Sequence, residues 1–402
     1  MIPKFKPKLG WPEFFALFKK NRGAVQKFEN EFAKSFQSID AVSFSYGRSA
    51  QWAFFKALGI ENSEVIMPAY TCSVVAHAVT LSNNTPCFVD INKEDFNMNL
   101  ELVPALINER TRAIIATHTF GYPQDVDRIK QIVKEAELVY GHKIWIIQDC
   151  CHCFGAEWNG KLVGTQGDVA VYAFNISKLM TSIFGGMLTF QNKELAEKVR
   201  VWRDSNYQKP KILKSIKRRL YLVAIYIAFK KYVYGFTWWL QEKTSLLNKF
   251  TKSFHLDDKI HFPPDYLDKM LDVEAAVGII QLSKYSAIVE LRKFNANYYN
   301  DNLSKNPGWV YPDIREGATY SHYTIIVPNK SKIIKEIAEK GIHLGELIQY
   351  SISNLHSYIH LNNNTPISLF CSHNVINLPL TVSQKEVEKI VSVVNDYSKL
   401  FE

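Results

Sequence analysis

No run of about 20 apolar residues occurs anywhere in the 402-residue chain, so a conventional membrane-spanning helix is not expected. Residues 1–8 are basic but have neither the apolar core nor the small-residue cleavage site of a secretion signal, which points to the cytoplasm. Internal repeats and low-complexity tracts are missing, and so is the Gly-x-x-x-x-Gly-Lys-Ser/Thr phosphate loop. No recognised nucleic-acid reader accompanies the net charge of +9, so nucleic acid is not an expected partner. Six cysteines permit disulfides by count, but a reducing compartment argues against them. Cys150, Cys151 and Cys153 surround His152 and invite a zinc reading. Adjacent cysteines at a strand end point to opposite sides, and no second ligand pair follows at finger spacing. Small buried thiols, and no metal, are the expectation.

The apolar fraction of 47% and charged fraction of 22% are those of an ordinary globular protein, long enough for two domains with sizeable cores. Residues 12–40 alternate aromatic and charged positions at helical spacing. From Ala41 the pattern becomes repeated strand-helix units, with strands near 42–45, 64–68, 86–90, 113–117, 144–147, 169–174 and 187–190. Such alternation predicts an α/β fold with a mainly parallel sheet covered on both faces, whose ligand binds at the carboxyl ends of the strands. Beyond about 262 the pattern is α+β: helices over 272–282 and 292–303, a strand at 323–327 and a helix over 332–340. A final helix, 384–400, opens on the capping box of Ser383 and Glu386. The expected division is a large domain over 1–262 and a smaller one over 263–402.

Three motifs fall at or just past predicted strand ends. Asp149 closes Ile146-Ile147-Gln148-Asp149, which reads as a buried strand ending in a carboxylate. Lys178 lies in Tyr172-Ala173-Phe174-Asn175-Ile176-Ser177-Lys178, ahead of Gly185-Gly186. A buried acid followed by a lysine after the next strand suits a pyridoxal 5'-phosphate enzyme. The amine forms a Schiff base with the cofactor aldehyde, and the carboxylate keeps the pyridine nitrogen protonated. Gly47-Arg48-Ser49-Ala50 joins a strand to a helix start, where unpaired N–H groups and the helix dipole favour an anion such as a phosphate. Small residues there could equally serve packing. His152 could stack on or hydrogen-bond a cofactor ring, or satisfy a local carbonyl.

Taken in order, these pieces resemble the DegT/DnrJ/StrS family of sugar aminotransferases. The likeness runs through Gly47-Arg48-Ser49-Ala50, Glu64-Val65-Ile66-Met67-Pro68, Phe88-Val89-Asp90, His118-Thr119-Phe120-Gly121, Gln148-Asp149-Cys150-Cys151-His152, Ser177-Lys178, Gly185-Gly186 and Ala275-Ala276-Val277-Gly278. It implies the type I pyridoxal-phosphate transferase fold, a keto-sugar acceptor on a nucleotide, an amino-acid donor such as glutamate, and a homodimer with its site at the subunit interface. It also implies that Lys178 is the Schiff-base lysine, Asp149 the pyridinium partner and His152 a neighbour of the phenolic oxygen. Arg48, Ser49 and Ser177 would contact the phosphate, and Cys72 stands where an aromatic residue often stacks on the cofactor. Ala173 replaces a phosphate-binding serine, and Leu267 falls where an asparagine is usually lent by the neighbouring subunit. A sugar dehydratase of the same family, which typically carries histidine in place of the lysine, is one rival; a non-catalytic scaffold is another.

Residues 205–262 lie largely outside the resemblance. Six cations and no acid occupy 209–219, followed by the aliphatic and aromatic stretch 220–240. That composition suits peripheral contact of 209–240 with the inner surface of a membrane. The alternative is a helical hairpin packed on the dimer or on the large domain.

Overall fold

A computed structural model describes residues 1–243, 259–306, 308–361 and 363–398. After helices α1 (Trp11–Ala16) and α2 (Ala24–Ser35), the chain enters strand β1 (Asp40–Phe44) and helix α3 (Gly47–Leu58). It continues through β2 (Glu64–Pro68), α4 (Ser73–Leu81), β3 (Thr85–Val89), β4 (Thr111–Thr117), α5 (Val126–Tyr140) and β5 (Trp145–Asp149). A two-residue ribbon, β6 (Glu157–Trp158) and β7 (Lys161–Leu162), precedes β8 (Val169–Ala173), β9 (Gly186–Phe190) and α6 (Lys193–Asn206).

These strands form one sheet in the order β1-β9-β8-β5-β4-β2-β3. β9 runs antiparallel to both its neighbours, and every other adjacent pair is parallel. Two-residue alternation sorts the side chains to the two faces. Val65, Met67, Ala113, Ile115, Val169 and Val171 pack beneath α3, α4 and α6. Ile66, Ile114, Ala116 and Ile146 pack against α5, while Ala170, Tyr172 and Met187 meet the aromatic rings of α2. Both faces are buried, which is why these strands read as nearly continuous apolar runs.

The segment after α6 forms helices α7 (Ile212–Ala228) and α8 (Tyr234–Lys243). No described helix is long and apolar enough to cross a membrane. Residues 244–258 of the predicted insertion, and 399–400 of the predicted last helix, lie outside the described residues. α9 (Asp272–Ser283) packs on α1 and α2, and Gly278 lets it approach so closely that a Cβ there would lie 2.6 Å from the Phe28 ring. α10 (Tyr285–Asn302), β10 (Tyr323–Ile326), α11 (Lys330–Glu339), α12 (Pro366–Asn374), β11 (Val375–Leu378) and α13 (Gln384–Ser398) complete the chain. β10 and β11 form an antiparallel pair, and their apolar core extends to Ile2, Tyr70 and Phe120. Glu386 accepts the Ser383 N–H at 2.8 Å, the half of a capping box that starts α13.

Candidate active site

A cavity of about 400 Å3 opens at the carboxyl ends of the parallel strands. The end of β5, the end of β8, the start of α3 and the turn carrying Lys178 all border it. Asp149, the last residue of β5, is buried. One carboxylate oxygen accepts the Cys151 N–H at 3.1 Å and the other the Thr117 hydroxyl at 3.3 Å, so its orientation is fixed. Lys178 reaches the same cavity from a turn organised by Asn175, whose side-chain oxygen accepts the N–H and the hydroxyl of Ser177 at 3.0 and 2.7 Å. The backbone N–H of Lys178 is donated to the Asn175 carbonyl at 3.1 Å. Lysine and carboxylate are thus set by separate local structures and meet only in the fold.

His152 lines the cavity, with its ring 6.4 Å from that of Phe120 and nearly parallel to it. Burial, and then the charges of Lys178 and His322, push its pKa well below the ordinary histidine value, so the imidazole is neutral at neutral pH. Its Nδ1 is buried with no hydrogen-bond partner among the described residues. Arg48 and Ser177 line the cavity, as does Cys72, which occupies the N-cap position of α4. Burial lowers the Arg48 pKa to about 10, which leaves the guanidinium charged. Its Nη1 lies 3.4 Å from the His261 carbonyl.

Two sequence candidates are placed elsewhere. The Ser49 hydroxyl is fully buried, donates to the Tyr46 carbonyl at 2.9 Å and accepts the Tyr46 N–H at 3.2 Å, and it does not border the cavity. Leu267 packs among the apolar side chains beneath α3, with its carbonyl accepting the Gln208 N–H at 2.9 Å.

The glycines explain how close the backbones come. A Cβ on Gly47 would lie 2.7 Å from the Ala173 Cβ. One on Gly186 would lie 2.4 Å from the Tyr46 carbonyl group and 2.5 Å from the Gly47 nitrogen. β9 therefore passes directly under the start of α3, and only glycine fits at the crossing. Gly186→Ala is expected to cost about 1–3 kcal/mol through overpacking, read as a lower midpoint in denaturant unfolding. An unchanged midpoint would mean that the crossing can relax.

The insertion supplies a side of the site that its composition did not reveal. Tyr221, Ile225 and Ala228 of α7 and Phe229 just after it line the cavity, joined by Tyr234 and Thr237 of α8. Tyr234 also anchors α8, its hydroxyl lying 2.9 Å from His343 Nδ1. Lys214 and Arg218 face inward too. Lys214 pairs with Asp265 and Asp268 at 3.0 and 3.2 Å, and Arg218 with Asp265 and Glu274 at 3.1 and 3.0 Å. Two of the six cations that suggested a membrane face are therefore internal. Helical spacing carried a signal for this: 214, 218, 221, 225 and 228 recur every three or four residues.

The cysteine cluster has different members from those the sequence suggested. Cys150 and Cys153 gather with His118, their possible ligand atoms within 4.8 Å of one another, rather than Cys150, Cys151 and Cys153 with His152. His118 Nε2 is bonded to the Gln148 side-chain oxygen at 2.8 Å, and its Nδ1 accepts the Gln124 N–H at 3.0 Å. Both ring nitrogens are engaged, which removes the histidine as a ligand.

A profile of the DegT/DnrJ/EryC1/StrS aminotransferase family matches residues 19–230 and 239–395. The chain belongs to this family. It is therefore a pyridoxal-phosphate-dependent sugar aminotransferase. The GDP-perosamine synthase of Caulobacter vibrioides is 30% identical over 388 residues, covering 92% of this chain and 90% of that protein. The GDP-4-keto-6-deoxy-D-mannose 3-dehydratase of Yersinia pseudotuberculosis is 26% identical over 345 residues, covering 81% and 77%. Among solved structures, the Helicobacter pylori aminotransferase PseC, involved in the biosynthesis of pseudoaminic acid, superposes with a TM-score of 0.77 at 20% identity and covers 99% of each chain. That likeness establishes the type I fold.

The residues present fit the family's cofactor. A fixed buried carboxylate, a lysine amine, an imidazole with an unsatisfied nitrogen and the N-terminus of a twelve-residue helix all border one cavity.

Proposed function

We propose that this aminotransferase moves the amino group of an amino acid, with glutamate the expected donor, onto a nucleotide-linked keto-sugar used in a surface polysaccharide or glycoconjugate. The observation that carries this reading is the meeting of Lys178 and Asp149 at one cavity. When bound, pyridoxal phosphate supplies an electron sink for the carbon that loses or gains the amino group.

Lys178 is the covalent anchor. With the cofactor bound, its freed amine would serve as general base and then acid for the proton moved during amino transfer. Asp149, held by Thr117 and the Cys151 N–H, would keep the ring nitrogen protonated. Neutral His152 would offer its unpartnered Nδ1 to the cofactor's phenolic oxygen, and Cys72, which lines the same cavity, would lie on the ring's side of it. Because the Ser49 hydroxyl is used by Tyr46, we give the phosphate to Arg48, Ser177 and the first N–H groups of α3. The α7–α8 hairpin shields the site from water. The reading keeps a large cofactor-binding unit over 1–262 and a smaller one over 263–402, with α9 seated against the first. A second copy of the chain completes the enzyme as a homodimer in the cytoplasm, and 209–240 touches the inner membrane surface.

Lysine at position 178, where dehydratases of the family typically carry histidine, favours amination over dehydration. A panel of nucleotide keto-sugars incubated with isotopically labelled glutamate tests this by mass spectrometry. Label is expected in an amino-sugar product. A deoxygenated keto-sugar without label would make the enzyme a dehydratase. A protein that binds no cofactor in an absorbance titration would be a scaffold.

A further inference from the structure

We propose that the outward face of α7, together with the aromatic rings of α1 beside it, is a docking surface for an anionic lipid bilayer, and that the docked helix is at the same time a wall of the active site. This rests on the peripheral contact proposed for 209–240 and specifies which side chains make it and what lies behind them.

Leu213, Ile216, Leu220 and Ile227 are 60%, 47%, 64% and 53% exposed, and Ile212 is 82% exposed. Their spacing of three, four and seven residues puts them on one stripe. Burying such a stripe is favourable, and on a folded protein it marks an interaction surface. The stripe continues onto α1, where Trp11, Phe15 and Phe18 are exposed and the Trp11 ring lies 6.1 Å from that of Tyr226. Indole and phenol rings of this kind suit the headgroup level of a membrane.

The opposite face of α7 is different. Lys214 and Arg218 are held in internal ion pairs, and Tyr221, Ile225 and Phe229 look into the cavity. The fold has therefore divided the cations of this segment. Lys211, Lys217, Lys230 and Lys231 remain exposed around the apolar stripe, and no aspartate or glutamate occurs between Asp204 and Glu242.

Charge decides between the two occupants an apolar stripe could take. In an isologous contact with a second copy the exposed lysines would need acidic partners from elsewhere on that copy, since the segment itself carries none. An anionic lipid surface instead attracts each of them, and accepts the stripe between them. The seventeen-residue helix is too short and too polar on its inner side to span a bilayer, so it lies flat, with the cavity wall turned toward the protein.

Flotation of the full-length holoenzyme with phosphatidylcholine–phosphatidylglycerol vesicles tests the proposal, beside pure phosphatidylcholine vesicles and a variant carrying Leu213→Glu, Leu220→Glu and Ile227→Glu. The unmodified protein is expected to float with the anionic vesicles and to be released as salt rises. The variant should lose vesicle binding by at least about tenfold, because three carboxylates both repel the surface and break the stripe. Lys211→Glu with Lys217→Glu should weaken binding without removing an apolar group. Circular dichroism and the cofactor absorbance, recorded on every protein, report the fold and the enzyme reading independently of lipid. Equal recovery of the unmodified protein and the triple variant in the soluble fraction would overturn the proposal. So would a triple variant that still floats, or one that becomes monomeric by light scattering while the unmodified dimer ignores vesicles; the last result would assign the stripe to a second copy.

Discussion

Lys178→Ala is expected to fold normally, to retain no borohydride-fixed cofactor and to turn over at least about 10^3-fold more slowly than the unmodified enzyme. The fold should survive because the side chain is only half-buried and the turn that presents it depends on Asn175 and Ser177. The activity should not, because in the proposed role the same amine both anchors the cofactor and moves the proton. Borohydride reduction of the unmodified holoenzyme, followed by peptide mapping, is the direct check. Lys4 also borders the cavity and serves as an internal control. Label on Lys4, or a Lys178→Ala enzyme with near-normal turnover, would displace Lys178 from the proposed role.

Asp149→Asn is expected to cost about 10^2–10^4-fold in turnover with little loss of stability. The amide keeps the shape of the carboxylate. It can still accept the Cys151 N–H, and it can donate to the Thr117 hydroxyl oxygen where the acid accepts from that group. What it loses is the negative charge that, in the proposed role, holds a proton on the ring nitrogen, so the effect should fall on turnover far more than on the unfolding midpoint. Measuring both on one preparation separates the two. A folded Asp149→Asn enzyme with near-normal turnover would show that the carboxylate is structural.

The sheet, its helices and the positions of Asp149 and Lys178 were legible in the sequence because their signals are local. A buried strand such as Ile144-Trp145-Ile146-Ile147 is an apolar run whatever surrounds it, and a side chain just past its end emerges where a doubly covered sheet opens. Gly185 and Gly186 were visible as a pair, but not the reason for Gly186, which is the Tyr46–Gly47 backbone lying against it from more than a hundred residues away. Ser49 shows the limit at one atom. Its place in the motif is that of a phosphate ligand, yet its hydroxyl bonds the backbone of Tyr46, and nothing in residue type or spacing says which partner a short hydroxyl takes. Composition described 209–240 as one basic and aromatic segment. Only tertiary contacts could divide it, because Asp265, Asp268 and Glu274 lie outside it in the chain and draw Lys214 and Arg218 inward. Once those two cations are paired, the rotation of α7 follows. Tyr221, Ile225 and Phe229 must face the cavity, and Leu213, Ile216 and Leu220 are left facing out.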